Sequence, residues 1–166
     1  MTRVLYFHQL LKQQEKGVDR KRAIASVRRE IDAKPREVFE AWTNPKHPAS
    51  PWAKRNGVRR VIVNRSVGGL FYINMGPPMP LPTHFGRFLR LDRPRLIEHT
   101  WASEGTHGAE TLVRIKLRSR GKGTVFSLRH TGLRSVQSAR AHEEGWGMIV
   151  RWLVQGFAAR RRGPKR

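Results

Sequence analysis

Apolar residues in the segment 135–159 recur at steps of three and four, and this spacing predicts one long C-terminal helix. Six of them share one face of that helix: Ala139, Trp146, Ile149, Val150, Leu153 and Phe157. Arg140, Glu144, Arg151 and Gln155 fall on the opposite face. An apolar helix face needs a surface to cover, so we expect the rest of the chain to supply one. Gly145 and Gly147 predict either a kink or a close approach by another backbone.

Short runs of alternating apolar and polar residues upstream of this helix predict β-strands. The first strand covers 26–33, where Val27, Arg29 and Ile31 are expected on one face. Pro35 then begins a short helix over 35–43, because proline at the first helical position gives up no hydrogen bond. Six more strands are predicted at 58–64, 70–74, 83–91, 95–102, 111–119 and 124–131, with Gly68-Gly69 as a turn or bulge and a proline loop at 76–82.

This order of elements indicates an α+β fold, in which a curved antiparallel sheet grips the long C-terminal helix. The short helix is an insertion after the first strand. Because the space between a curved sheet and a helix is hard to fill with side chains alone, we expect a cavity there. The domain spans 26–159, preceded by a basic N-terminal extension at 1–25 and followed by a basic tail at 160–166.

The length of 166 residues suits a single domain with its own core. The chain has no cysteine, which excludes disulfides, thiolate metal sites and cysteine nucleophiles. No apolar run approaches the roughly 20 residues of a membrane span, and no apolar signal core is present at the N-terminus. We therefore expect a soluble, cytoplasmic protein.

Charge is the most unusual feature of the composition, with 34 Lys and Arg against 12 Asp and Glu, a net charge of +22. Such a field attracts polyanions, although a GC-rich genome also produces an excess of Arg through codon usage alone. The stripe Arg114, Lys116, Arg118 and the cluster Arg59, Arg60, Arg65 are candidate phosphate contacts. Because no exposed aromatic residues are predicted between them, we expect at most nonspecific nucleic-acid binding.

Six segments of the sequence resemble a known family in their order and spacing. They are IDAKPREVFEAWTNPKH at 31–47 with PW at 51–52, SVGGLFYI at 66–73, HFGRFLRLDRPRLIEHTW at 84–101, TLVRIKL at 111–117, GTVFSLRHTGL at 123–133 and AHEEGW at 141–146. Together they resemble single-domain proteins related to the activator of Hsp90 ATPase, which belong to the START-like, helix-grip superfamily. The resemblance covers about residues 26–157.

The resemblance implies a helix-grip fold that holds a hydrophobic or amphipathic small molecule between the sheet and the C-terminal helix. Stimulation of Hsp90 is not carried over, because the namesake co-chaperones have an additional N-terminal domain. Some members of the superfamily are cyclases or aromatase components, so an enzyme is a further alternative. Fold alone does not assign a function.

Six aromatic residues are expected to line the interior: Trp52, Phe71, Phe85, Trp101, Trp146 and Phe157. The predicted ligand-binding set is Trp52, Phe71, His84, Trp101, His130, His142, Trp146, Ile149 and Leu153. The histidines follow neither a HExxH nor a HxH pattern, so no metal ligand is assigned, and no cofactor is predicted.

Three functions follow from these observations. The first is binding of a hydrophobic or amphipathic small molecule in the cavity, without a catalytic signature. The second is nonspecific binding of nucleic acid or a ribonucleoprotein through the basic surface and tails. The third is a cyclase- or hydrolase-like enzyme, which would use His84, His130 or His142 with Glu98 or Glu143, and Arg29 if it points inward. The pattern identifies neither the ligand nor the oligomeric state.

Overall fold

A computed structural model describes residues 23–76 and 83–162, which form seven strands and two α-helices. In chain order they are β1 Ala25–Ile31, α1 Pro35–Thr43, β2 Val58–Val63, β3 Leu70–Met75, β4 Thr83–Asp92, β5 Leu96–Ser103, β6 Thr111–Arg120, β7 Gly123–Thr131 and α2 Val136–Arg162. Single 3₁₀ turns occur at Lys54–Asn56 and Glu104–Thr106. Residues 1–22 of the predicted extension, 77–82 of the proline loop and 163–166 of the tail lie outside the described residues.

The seven strands form one antiparallel sheet in the order β1-β7-β6-β5-β4-β3-β2. Strands β2 to β7 pair with their neighbours in sequence, and β1 pairs with β7 at the edge of the sheet opposite to β2. The sheet is curved around α2, which confirms the predicted α+β, helix-grip architecture. Neither helix in the described part of the chain is long and apolar enough to cross a membrane.

Helix α2 buries the face that the sequence predicts. All six residues of its predicted apolar face are buried. The residues predicted on the opposite face are exposed: Arg140, Glu144, Arg151 and Gln155. The helix continues three residues beyond the predicted end, through Arg162, so it includes the first part of the predicted basic tail. Its N-terminal half is tied to the first strand, because the backbone N–H of Ser26 donates a 3.0 Å hydrogen bond to the Glu143 carboxylate.

The close backbone approach along α2 occurs at Gly156. A Cβ atom on this residue would lie 2.8 Å from both Cα and the carbonyl oxygen of Ala49, in the loop after α1. At Gly147 the nearest atom to a Cβ position is in the Arg151 guanidinium, at 3.8 Å, an ordinary van der Waals contact. The close approach expected at Gly145 or Gly147 is therefore not found at Gly147 and occurs at Gly156.

Two predicted inward side chains point outward. Phe85 is 50% exposed, because the alternation of β4 buries His84, Gly86 and Phe88 and leaves Phe85 on the other face. Arg29 is also exposed, and its guanidinium donates to the carbonyl of Arg28 at 2.7 Å. The interior role that the sequence indicated for these two residues is wrong.

Aromatic side chains fill the space between the sheet and the helices. The Trp42 ring lies 5.1 Å from that of Trp52 and 6.1 Å from that of Trp146, and Trp52 donates its indole N–H to the Trp42 carbonyl at 2.6 Å. Phe71 packs 6.1 Å from Trp101 on the sheet side. Between these rings only a gap of about 20 Å³ remains, room for about one water molecule. The deep interior is therefore a packed core.

Candidate functional site

A groove of about 380 Å³ opens between the ends of β4 and β5 and the first half of α2. Small residues of the helix make room for it. Ser138, Ala141 and Gly145 follow one another at steps of three and four, so they share one helix face, and all three line the groove. Gly145 thus faces a groove, which the sequence did not predict.

Aromatic rings form the inner wall of the groove. Trp101 lies between His84 and Trp146, with ring centroids 4.6 Å away on each side. The His84 ring is tilted by 33° to Trp101, and both rings are buried. Ile149 and Met148 extend this wall along the helix. Each of these three rings is at most 6% exposed, so the wall offers a ligand apolar contact over a small area of each ring.

Polar side chains line the remaining sides of the groove: His84, Ser103, Ser138, His142, Glu144 and Arg151. The Nδ1 atom of His142 lies 2.8 Å from the carbonyl oxygen of Ser138. A neutral His142 ring donates this hydrogen bond, which leaves Nε2 as its acceptor atom. Burial lowers the pKa of His142 from its ordinary value, which favours the neutral ring.

His130 lies behind this wall, fully buried, with both ring nitrogens bonded. The indole N–H of Trp146 donates to Nδ1 at 3.0 Å, so Nδ1 carries no proton. Nε2 then donates to the Thr111 hydroxyl at 2.6 Å, and that hydroxyl donates to the Trp101 carbonyl at 2.6 Å. Burial lowers the pKa of His130 to about 3, and the neighbouring His142 and His99 add to the shift. The ring is neutral and has no nitrogen left for a ligand.

The structure brings together five of the nine predicted ligand-binding residues: His84, Trp101, His142, Trp146 and Ile149. The other four lie elsewhere. Trp52 and Phe71 border the small gap in the core, His130 occupies the buried hydrogen-bond chain, and Leu153 is fully buried in the core. Sequence reasoning missed Ser103, Ser138, Ala141 and Met148. The regular spacing of Ser138, Ala141, Gly145 and Met148 along α2 is a signal that identifies most of these.

The acid–base pairs of the enzyme hypothesis do not form. Glu98 is bonded to Arg114 on the outer face of the sheet, and Glu143 accepts the backbone N–H of Ser26. Both carboxylates therefore have hydrogen-bond partners other than the histidines of the hypothesis. Within residues 23–76 and 83–162, no group of three or more His, Asp or Glu side chains is placed to hold a metal ion.

The residues predicted as phosphate contacts do not all have the same role in the structure. Arg65 is half-buried and bonded to Glu40 and to the Thr43 hydroxyl, so it is part of the structure around α1. Arg59 and Arg60 are exposed. The stripe of Arg114, Lys116 and Arg118 is exposed on the outer face of β6, as the alternation predicts.

The pattern that defines the family described as "Activator of Hsp90 ATPase homolog 1-like protein" matches residues 32–158, most of the chain and all of the groove. The chain belongs to this family. The match confirms the resemblance carried by the six sequence segments. No curated protein sequence matches the chain.

Solved structures share the helix-grip fold of this family member. CalU16 from Micromonospora echinospora is 24% identical, with a TM-score of 0.62, over 80% of this chain and 74% of CalU16. Protein MLL2253 from Mesorhizobium loti is 18% identical, with a TM-score of 0.67, over 82% of this chain and 97% of that protein. Aha1 from Colwellia psychrerythraea, whose structure is a dimer, is 15% identical, with a TM-score of 0.62, over 81% and 95%. At these identities the likeness concerns the fold.

Proposed function

We propose that this protein binds a small amphipathic molecule in the groove between the ends of β4 and β5 and helix α2. The observation that carries the proposal is the wall of closely packed rings, His84, Trp101 and Trp146, beside about 380 Å³ of open space. Ligand sites commonly have about 300–1,000 Å³, apolar walls and a few polar groups that orient the ligand. The groove has each of these features, and the family's fold is one that suits ligand binding.

The polar side chains of the groove indicate that the ligand has polar groups in addition to its apolar part. The Ser103 and Ser138 hydroxyls and the His142 ring line the groove with atoms that accept or donate hydrogen bonds. A ligand without polar groups would displace water from these atoms without replacing its hydrogen bonds, which costs free energy. A suitable ligand has an apolar ring or chain that lies on the tryptophan wall. It also has a hydroxyl or carbonyl group that points toward His142.

The packed core limits how far a ligand can enter between the helix and the sheet. Trp42, Trp52 and Phe71 fill the space under the helix, so a ligand cannot enter there without displacing aromatic side chains. We therefore place the ligand in the groove itself, against the first half of α2.

A neutral fluorescent probe, Nile red, tests this proposal without interference from the net positive charge. We expect saturable binding of one probe per protein, and we expect Ala141→Trp to abolish it by filling the groove. Ala158→Trp is the matched control, because Ala158 is exposed on the same helix and lies outside the groove. Equal probe binding by both variants would exclude the groove as the site. Native mass spectrometry of the purified wild type would then identify any small molecule that it retains.

A further inference from the structure

The outer face of the sheet carries a row of apolar side chains, exposed or partly exposed, across β2 to β5. Ile62, Tyr72, Phe85 and Ala102 are direct cross-strand neighbours on β2, β3, β4 and β5. Ile62 and Phe85 are 52% and 50% exposed, and Leu70 beside them is 67% exposed. These side chains line a shallow depression of about 240 Å³. We call Ile62, Tyr72, Phe85 and Ala102 the outer row.

Two aromatic rings sit side by side in the outer row. The centroids of Tyr72 and Phe85 are 5.2 Å apart, and each ring lies on the face opposite to the packed core. Residues before and after them on each strand are buried, so the pleat fixes both rings outward. The sequence predicts no exposed aromatic residue near the basic stripe, and the structure corrects that expectation.

The same face becomes cationic toward β6, β7 and β1. Arg114 on β6 is directly opposite Arg129 on β7, and Lys116 and Arg28 flank Ser127 in the next row. Like charges directly opposite one another destabilise a sheet, so this arrangement is not explained by stability. Arg114 is bonded to Glu98, whereas Lys116, Arg129 and Arg28 have no carboxylate within 4.0 Å among the described residues. These three cations are available to an anionic partner.

We propose that the outer face of the sheet binds single-stranded nucleic acid, with bases stacked on Phe85 and Tyr72 and phosphates held by Lys116, Arg129 and Arg28. Exposed aromatic rings beside a basic surface are the two components of sequence-tolerant single-strand binding. Lys116, Arg129 and Arg28 lie two to four strands across and four to six residues along from Phe85, about 20–28 Å away by strand geometry. A strand of a few nucleotides spans that distance.

The charge on this face selects the partner. A second copy of the chain docked on the outer row would bring two cationic surfaces together, which opposes that association. A nucleic-acid duplex keeps its base faces stacked inside, so it offers Phe85 nothing to stack on. An unpaired strand satisfies both the rings and the cations.

Fluorescence anisotropy with a labelled oligo(dT) strand, an RNA strand of equal length and a duplex control tests the proposal. We expect both single strands to bind more tightly than the duplex at equal salt. Phe85→Ala should weaken single-strand binding about 5- to 150-fold, the range for removing one stacked base. Phe85→Trp should retain binding, while Phe85→Leu, which keeps an apolar side chain but no ring, should behave as Phe85→Ala.

Two controls separate stacking from charge. Leu89→Ala removes an exposed apolar side chain of the same strand outside the outer row, and we expect unchanged affinity. Lys116→Ala with Arg129→Ala should make the salt dependence shallower, by about 0.7 in slope for each phosphate that is no longer neutralised. Circular dichroism establishes whether each variant is folded. If Phe85→Leu does not fold, Phe85→Trp still tests whether an aromatic ring at this position supports binding.

Three results would each overturn the proposal. The first is equal affinity of wild type for single strands and duplex, with no effect of Phe85→Leu. The second is a dimer of wild type in analytical ultracentrifugation that Phe85→Leu converts to a monomer. The third is binding to phosphatidylserine vesicles, abolished in Phe85→Leu, without binding to oligonucleotides. Ala141→Trp in the groove should leave oligonucleotide binding intact, so this site and the groove are tested separately.

Discussion

The indole N–H of Trp146 and the Nδ1 atom of His130 are joined by a 3.0 Å hydrogen bond that links the groove wall to the sheet behind it. Through Thr111, the bond continues to the backbone of Trp101, the ring on which Trp146 packs. One chain of hydrogen bonds therefore connects helix α2 with β7, β6 and β5. It fixes the indole of Trp146 directly and the backbone of Trp101, whose ring packs on that indole.

Trp146→Phe should destabilise the fold by about 1–3 kcal/mol, because it leaves the buried Nδ1 of His130 without its donor while keeping an aromatic ring in the core. Urea denaturation measures the free energy of unfolding. Trp152→Phe is the control, since Trp152 is only partly buried on the same helix. Equal stability of the two variants would show that the Trp146–His130 bond contributes nothing.

Stability should fall on acidification from about pH 6.5, because the native state resists protonation of two buried histidines. Burial lowers the pKa of His130 to about 3 and that of His99 to about 4. Between these values and the ordinary pKa near 6.5, the unfolded chain binds more protons than the native protein, so the free energy of unfolding decreases as pH falls. Each histidine contributes up to about 1.4 kcal/mol per pH unit in that window.

The pH effect has its own control. His130→Gln should remove up to about 1.4 kcal/mol per pH unit from the slope between pH 4 and 5.5. Leu153→Ala destabilises the core without removing a titrating group, so its curve should run parallel to that of wild type at lower stability. If His130→Gln retains the wild-type slope, His130 is not held neutral in the native state.

Much of the fold could be predicted from the sequence, because periodicity reports which side of an element is buried. The apolar face of α2 and the proline at the start of α1 are both local signals, and both are confirmed. The interior position predicted for Phe85 is wrong, because an apolar residue in a strand lies inside only if its position in the alternation faces the core. In β4 Phe85 alternates with Phe88, three residues away, and residues three apart in a strand lie on opposite faces.

The site was only partly predictable. Trp101, Trp146 and Ile149 carry an apolar signal that places them toward the interior. The role of His130 depends on the register of β6 and β7, which sets Val113 beside it and brings Thr111 within reach. That register joins residues far apart in sequence and leaves no local pattern. The groove likewise depends on which strand ends face Ala141 and Gly145, a tertiary relationship.

Leu153→Ala should destabilise the protein by about 2–5 kcal/mol, since Leu153 is fully buried between helix and sheet. Arg140→Ala, on the exposed face of the same helix, should change the free energy of unfolding by no more than about 0.5 kcal/mol. Chemical denaturation of both variants measures the difference. A Leu153→Ala variant within error of wild type would mean that α2 does not cover the sheet.

Two alanine substitutions in α2 should have opposite effects on stability. Gly156→Ala places a Cβ atom 2.8 Å from backbone atoms of Ala49, which cannot move without displacing the loop after α1. Overpacking of this kind typically costs about 1–3 kcal/mol. Gly147→Ala meets only the flexible Arg151 guanidinium at 3.8 Å, so the gain in helix propensity remains, about 0.5–1 kcal/mol.

Because both substitutions add the same methyl group to the same helix, they differ only in what surrounds it. Thermal unfolding monitored by circular dichroism should therefore show a lower Tm for Gly156→Ala and a higher Tm for Gly147→Ala than for wild type. If Gly156→Ala also raises the Tm, helix α2 does not pack its backbone against Ala49. The position of α2 over the sheet, and with it the width of the groove at its other end, would then need a different explanation.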